Sequence, residues 1–156
     1  MKHLLKQSLI ILFALVLSAC GSGDGNGEKA NNQSSASKSE SGLTEFQMKH
    51  GIGPVTELIK LDDEIDEEMA ERGKEVFRTK CSACHKIDSR YVGPPLADVT
   101  EKRTPAYIVN MIMNPQEMTK KHPEARAMLQ EYMNQMTYQN VKQEDARAIV
   151  EYLRTQ

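Results

Sequence analysis

Cys81-Ser82-Ala83-Cys84-His85 is the segment whose residue types and spacing point most directly to chemistry. Side chains three and four apart on a helical turn share a face, so Cys81 and Cys84 can reach the two vinyl groups of one porphyrin while His85 lies beneath its iron. C-x-x-C-H is the attachment pattern of c-type haem, with both thiols converted to thioethers and the histidine as proximal ligand. Without His85 the pair would read as a thioredoxin-like dithiol or as half of a zinc site. The first needs a βαβ pattern around it and the second another ligand pair at suitable spacing, and the sequence offers neither.

The third cysteine, Cys20, belongs to a different signal. A short basic start with Lys2 and Lys6, an apolar run from Leu9 to Leu17, and then Leu17-Ser18-Ala19-Cys20 resemble a bacterial lipoprotein signal. That resemblance implies cleavage before Cys20 and lipidation of its thiol, with residues 1–19 removed. The apolar run is shorter than the roughly 20 residues of a spanning helix. Residues 20–43 then form a linker of Gly, Ser, Asn, Lys and Glu with almost nothing to bury, expected to be a flexible tether with a reach of about 25–30 Å. Residues 44–156 are the expected folded domain. An oxidising compartment outside the cytoplasm, on the periplasmic side of the cell envelope, is where c-type haem is attached and where two free thiols would otherwise close into a disulfide.

The formal net charge of −2 gives no basic surface for nucleic acid. The cluster Asp62, Asp63, Glu64, Asp66, Glu67 and Glu68 offers two readings, a docking patch for a basic partner and, the one favoured, a solvated helix start, because acids are favoured at the positive end of a helix dipole. The elements that must position the haem motif are helical. Met69, Gly73, Val76 and Phe77 recur at helical spacing and predict a helix from about Asp66 to Lys80 that delivers Cys81 at its end. Thr104-Pro105 is an N-cap followed by proline at the first helical position, opening a helix with Ile108, Met111 and Ile112 inward. Asn114-Pro115 stops that helix and can cap the next segment; after His122-Pro123 come Ala125, Met128, Leu129 and Tyr132. Ala146, Ile149, Val150 and Leu153 form one stripe of a final helix. Residues 44–65 lack a period and read as an extension packed on the core, and His50 and His122, in polar surroundings, read as surface histidines.

Over residues 66–156 these features resemble class I cytochrome c, an all-α fold of helices packed around one covalent haem. Gly73 and Phe77 resemble the small and aromatic pair by which that family's first helix crosses its last, with Tyr152 as the matching aromatic. Gly93-Pro94 followed by Pro95-Leu96 resembles the family's Gly-Pro-x-Leu, which implies a hydrogen bond from His85 Nδ1 to the Pro94 carbonyl. Met136, followed by Val141 and the entry Glu144-Asp145-Ala146, resembles the distal methionine loop and final helix, so the resemblance implies Met136 as the second axial ligand. Met133 and Met118 are the competing methionines at expected helix ends or in loops. Two departures stand out: Gln135 and Thr137 flank Met136 where the family often has proline, and the chain has no tryptophan. Tyr91, Arg103 and Tyr138 are the candidates to serve a haem propionate in place of an indole, Arg103 by guanidinium–carboxylate pairing.

The resemblance implies a one-electron carrier with His/Met ligation and no substrate pocket, hence not an enzyme. Its expected partners are a quinol-oxidising donor complex and a terminal oxidase or reductase, nitrous oxide reductase among them, with the membrane reached through the N-terminal lipid. The rival class is a haem sensor or small-ligand binder with a labile distal ligand. An enzyme would need acid or base groups on the distal side, where His50 and His122 are the spare histidines of the domain.

Overall fold

The computed structural model describes residues 41–156; the signal segment, Cys20 and nearly all of the linker lie outside the described residues. Seven helices follow one another: α1 (Glu45–His50), α2 (Glu67–Lys80), α3 (Val99–Lys102), α4 (Pro105–Met113), α5 (Pro115–Lys121), α6 (Pro123–Tyr132) and α7 (Gln143–Arg154), with no strand among the described residues.

Local chemistry sets most of these boundaries. Asp66 caps α2, its carboxylate accepting from Met69 N–H at 2.9 Å, and Glu67 and Glu68 occupy the first turn, so the second half of the acidic cluster is a helix start while Asp62, Asp63 and Glu64 precede it. Thr104 caps α4 through Tyr107 N–H (3.2 Å), with Pro105 at the first helical position. Pro115 and Pro123 open α5 and α6 in the same way. Asn114 stands at the α4–α5 junction as expected, yet its side chain makes no cap and donates instead to Ile52 C=O at 3.1 Å.

The most extensive helix pairing is α2 against α7. Ala70, Gly73 and Phe77 are the buried positions of α2, with Met69 only partly covered. They face an α7 stripe that includes Ala146, Ile149, Val150 and Leu153, and the Phe77 and Tyr152 rings lie 5.3 Å apart. Burying Ile149, Val150 and Leu153 contributes about 1.5–3 kcal/mol each, enough to anchor a 12-residue helix. At Gly73 the backbones approach so closely that an added Cβ would lie 2.0 Å from the Ala148 carbonyl oxygen. Glu151, buried on α7, is compensated by Arg147 and Arg154 at 2.7 Å each. Arg154 also donates to the Asp62 (2.7 Å) and Asp63 (3.2 Å) carbonyls.

The extension before α2 departs from expectation in one respect: it contains a helix. Thr44 and Gln47 close a capping box at the start of α1, and Leu43 is already buried, so the packed part begins before residue 44. The non-helical strap 51–65 is bound to the helices mainly through side chains. The fully buried Asn110 amide donates to the His50 and Val55 carbonyls (3.0 Å each) and accepts from Val55 N–H (2.9 Å). Ile52 N–H donates to Met118 Sδ at 3.0 Å.

Both histidines expected on the surface are buried. His122 Nε2 lies 3.1 Å from the Met48 carbonyl, and its ring meets Tyr107 edge-on. His50 packs against Phe46, with Nδ1 2.9 Å from Thr104 Oγ1. That hydroxyl accepts from Tyr107 N–H and can donate its own proton to an unprotonated Nδ1. Burial, and then the neighbouring Lys49 charge, hold the His50 pKa below its usual 6.5. The unfolded chain therefore takes up the proton first as pH falls, so this contribution to stability is present above pH 6.5 and declines below it. Thermal melts should show a loss of stability from pH 7 to about 5, and His50→Asn should flatten it; an unchanged slope would show that His50 is not the group responsible.

Candidate cofactor site

Cys81 caps α2, its N–H donating to Phe77 C=O at 2.8 Å, and the chain then turns tightly: Cys84 and His85 N–H both donate to Cys81 C=O at 3.0 and 2.9 Å. This turn places both thiols and the imidazole along one cavity of about 320 Å³. Gly93 N–H donates to Cys84 C=O (2.9 Å), folding the following loop back under the histidine. His85 Nδ1 then lies 3.0 Å from the Pro94 carbonyl, the contact expected from the Gly-Pro pair. Gly93 is required for that approach, since a Cβ there would sit 2.6 Å from His85 Cε1. Because the carbonyl can only accept, the proton resides on Nδ1 and Nε2 is left as the donor for a metal.

Burial lowers the His85 pKa, with the Pro94 bond opposing it, so the neutral, ligating imidazole is favoured near neutral pH. Burial, then the neighbouring Cys84, pushes the Cys81 thiol up to about 11. No cluster of three or more His, Cys, Asp or Glu side chains able to hold a metal occurs among the described residues, so the cysteines have no second ligand pair beside them.

The remaining wall is largely apolar. It comes from Val99 of α3, Ile108, Met111 and Ile112 of α4, Met128 and Leu129 of α6, Met136 and Val141 of the loop before α7, and Ile149 and Leu153 of α7. Met136 is half-buried against the main core. Met133 is 85% exposed as the left-handed residue ending α6, and Met118 is fully buried outside the lining, its sulfur engaged by Ile52. Of the propionate candidates, Arg103 lines the cavity, pairs with Glu124 and stacks its guanidinium 5.0 Å from the Tyr107 ring centroid. Tyr91 and Tyr138 are exposed and outside the lining; Tyr91 instead carries the Lys86 ammonium over its ring at 5.1 Å.

Tyr107 is the residue that sequence reasoning missed. It is 3% exposed, it lines the cavity, and its hydroxyl has no hydrogen-bond partner among the described residues. A buried hydroxyl without a hydrogen bond is costly, and burial pushes its pKa up to about 12, so it remains an O–H donor. Its position between Thr104 and Ile108 on the inner face of α4 was the available signal. An apolar slot with two thiols and an imidazole along one turn, and an orphaned donor beside a guanidinium, fits a planar apolar macrocycle with acidic substituents.

Comparisons with known proteins agree. The cytochrome c family model matches residues 70–156. A cytochrome c-553-like protein of Synechocystis sp. is 32% identical over 62 residues, covering 31% of this chain and 59% of that protein. Cytochrome c-551 of Azotobacter vinelandii is 52% identical over 33 residues, covering 20% and 40%. The chain thus spans less than two thirds of the length of either relative. Among solved structures, cytochrome c from Rhodothermus marinus superposes with a TM-score of 0.66 at 43% identity, over 70% of this chain and 93% of that one. An engineered form of it bound to a carbene intermediate gives 0.64 at 42% identity, over 70% and 94%. Matched over more than half its length by the family model, and folded as its solved relatives are, the chain belongs to the cytochrome c family and binds a c-type haem covalently.

Proposed function

We propose that this protein is a one-electron carrier whose haem is attached through Cys81 and Cys84 and ligated by His85 and Met136. The observation that carries the reading is the convergence of all four side chains on one apolar cavity, with the His85–Pro94 bond fixing the histidine tautomer. Bound haem supplies an iron couple that exchanges one electron with little change of geometry. Around it the chain excludes water with the α4, α6 and α7 side chains, orients the His85 ring through Pro94, and offers Tyr107 and Arg103 to the propionates. Ligation by Met136 and burial in this cavity would both favour the ferrous state and so raise the potential. With His85 and Met136 both given to the iron, no ligand position would be left for a substrate, which fits an electron carrier and not an enzyme.

The partners follow from that chemistry: a quinol-oxidising complex as donor and a terminal oxidase or reductase as acceptor. Cys20 is the lipid attachment point, holding the domain on the outer side of the cytoplasmic membrane through the linker. Among the described residues no helix is long and apolar enough to cross a membrane.

Protein made with a cytochrome c maturation system should keep its pigment through denaturation and acid-acetone extraction, with a mass increase of one haem. It should also titrate as a single one-electron couple. Cys81→Ser or Cys84→Ser should leave one thioether or abolish maturation. Extraction of all the haem, or a ferrous form that binds CO as isolated, would overturn the proposal.

A further inference from the structure

The loop between α6 and α7 carries Met136 with very little backbone support. Among the described residues, no backbone–backbone hydrogen bond involves positions 134–141. The loop is bracketed by two residues in the left-handed region, Met133 (φ 51°) and Asn140 (φ 51°), neither of them glycine. Met133 is thereby held in a conformation that L residues disfavour, whereas asparagine adopts it readily. Two of the loop's side-chain bonds are internal: Tyr138 Oη to Asn140 Oδ1 (3.3 Å) and Gln139 Nε2 to Thr137 Oγ1 (2.8 Å). One bond joins the loop to another element: Gln135 Nε2 donates to Thr119 Oγ1 of α5 at 2.9 Å.

Thr119 suits this task. It is 5% exposed, and its hydroxyl proton is committed to the Pro115 carbonyl at 2.8 Å, which leaves an oxygen lone pair for the Gln135 amide. Both residues line the same cavity as Met136. The chain lacks the proline often found beside such a methionine, and a side-chain tie immediately before Met136 supplies the missing restraint.

We propose that Thr119 and Gln135 are positioning residues that hold the Met136 loop closed over the haem and so set how readily an external ligand displaces the methionine. This rests on Met136 ligation as proposed above. Opening the tie exchanges one neutral hydrogen bond for water, which raises the open population about fivefold. A ligand that binds only the open state gains apparent affinity in the same proportion.

The test is imidazole binding to the ferric holoprotein, followed through the weak far-red band of methionine-ligated haem. Thr119→Val and Gln135→Leu should each raise the apparent imidazole affinity about fivefold. The double variant should match either single one, since both remove the same bond. Thr119→Ser, which keeps the hydroxyl, should behave as the parent. In a Met136→Ala background the Gln135→Leu change should make no difference, because there is no methionine left to displace. Gln135 is exposed, so its variant keeps the test available if Thr119→Val fails to fold. If the parent lacks the far-red band or Met136→Ala retains it, the ligand assignment fails. If Met136→Ala removes the band but Gln135→Leu leaves the affinity within twofold of the parent, or the two single effects add, the tie fails while the ligand assignment stands.

Discussion

Met136→Ala should abolish the far-red ferric band completely, lower the reduction potential, and let the ferrous protein take up CO. The other methionines are constrained differently. Met118 is fully buried with its sulfur accepting Ile52 N–H, and Met133 points into solvent at a helix end. Met111 and Met128 do line the cavity, but from within α4 and α6, packed against Tyr107, Met118 and Ala125. Their sulfurs serve as adaptable filling, so alanine at either position should lower stability and leave the band in place. Optical spectra of the three ferric variants check the assignment. A band that survives Met136→Ala and disappears in Met111→Ala or Met128→Ala would move the ligand to a helix.

Gly73→Ala should be strongly damaging, since of the described glycines it is the one where an added methyl group comes nearest to another atom. The added Cβ would meet the Ala148 carbonyl oxygen at 2.0 Å and Ile149 N at 2.9 Å, so α2 and α7 must separate. Alanine improves helix propensity by about 1 kcal/mol, but overpacking of a close contact costs about 3 kcal/mol or more. For a domain of this size the melting temperature should fall by about 10 °C or more. Because the obstructing atoms are backbone, Ala148→Gly should restore nothing. Thermal unfolding of the holoprotein decides this, and a loss of only a degree or two would mean that the crossing is looser than drawn.

What could be read from the residues was local. The cap at Thr104, the prolines opening α4 and α5, and the turn of the haem motif depend on neighbours within four positions, and the structure reproduces them; the Asp66 cap and the proline opening α6 obey the same local rules. The α2–α7 crossing through Gly73 and Tyr152, and the Pro94 contact to His85, were legible only through resemblance to a family, since each joins residues whose partnership no spacing rule announces. The six-residue α1 was too short to display a period, although Thr44 and Gln47 carried a capping box that marks such a start. His50 and His122 were misread because their sequence neighbours are polar, whereas burial was decided by α1, the strap and α4 packing over them. Asn114 looked like a cap and became a clasp for Ile52. The orphaned Tyr107 hydroxyl is visible only once every neighbour has a position.

The strap has a consequence for where this protein begins as a physical object. The family match starts at residue 70, yet Asn110 in the middle of the matched region satisfies its amide entirely on the backbone of residues 50 and 55. Met118 and Asn114 each bond residue 52, and Arg154, besides pairing with Glu151, donates to the carbonyls of residues 62 and 63. Cutting the chain at the edge of the recognisable motif would uncover the slot filled by Val55 and strand those groups together. The smallest autonomous unit therefore reaches back to about residue 43, and a gene fragment trimmed to the family-matched region would encode a core without its Val55 side.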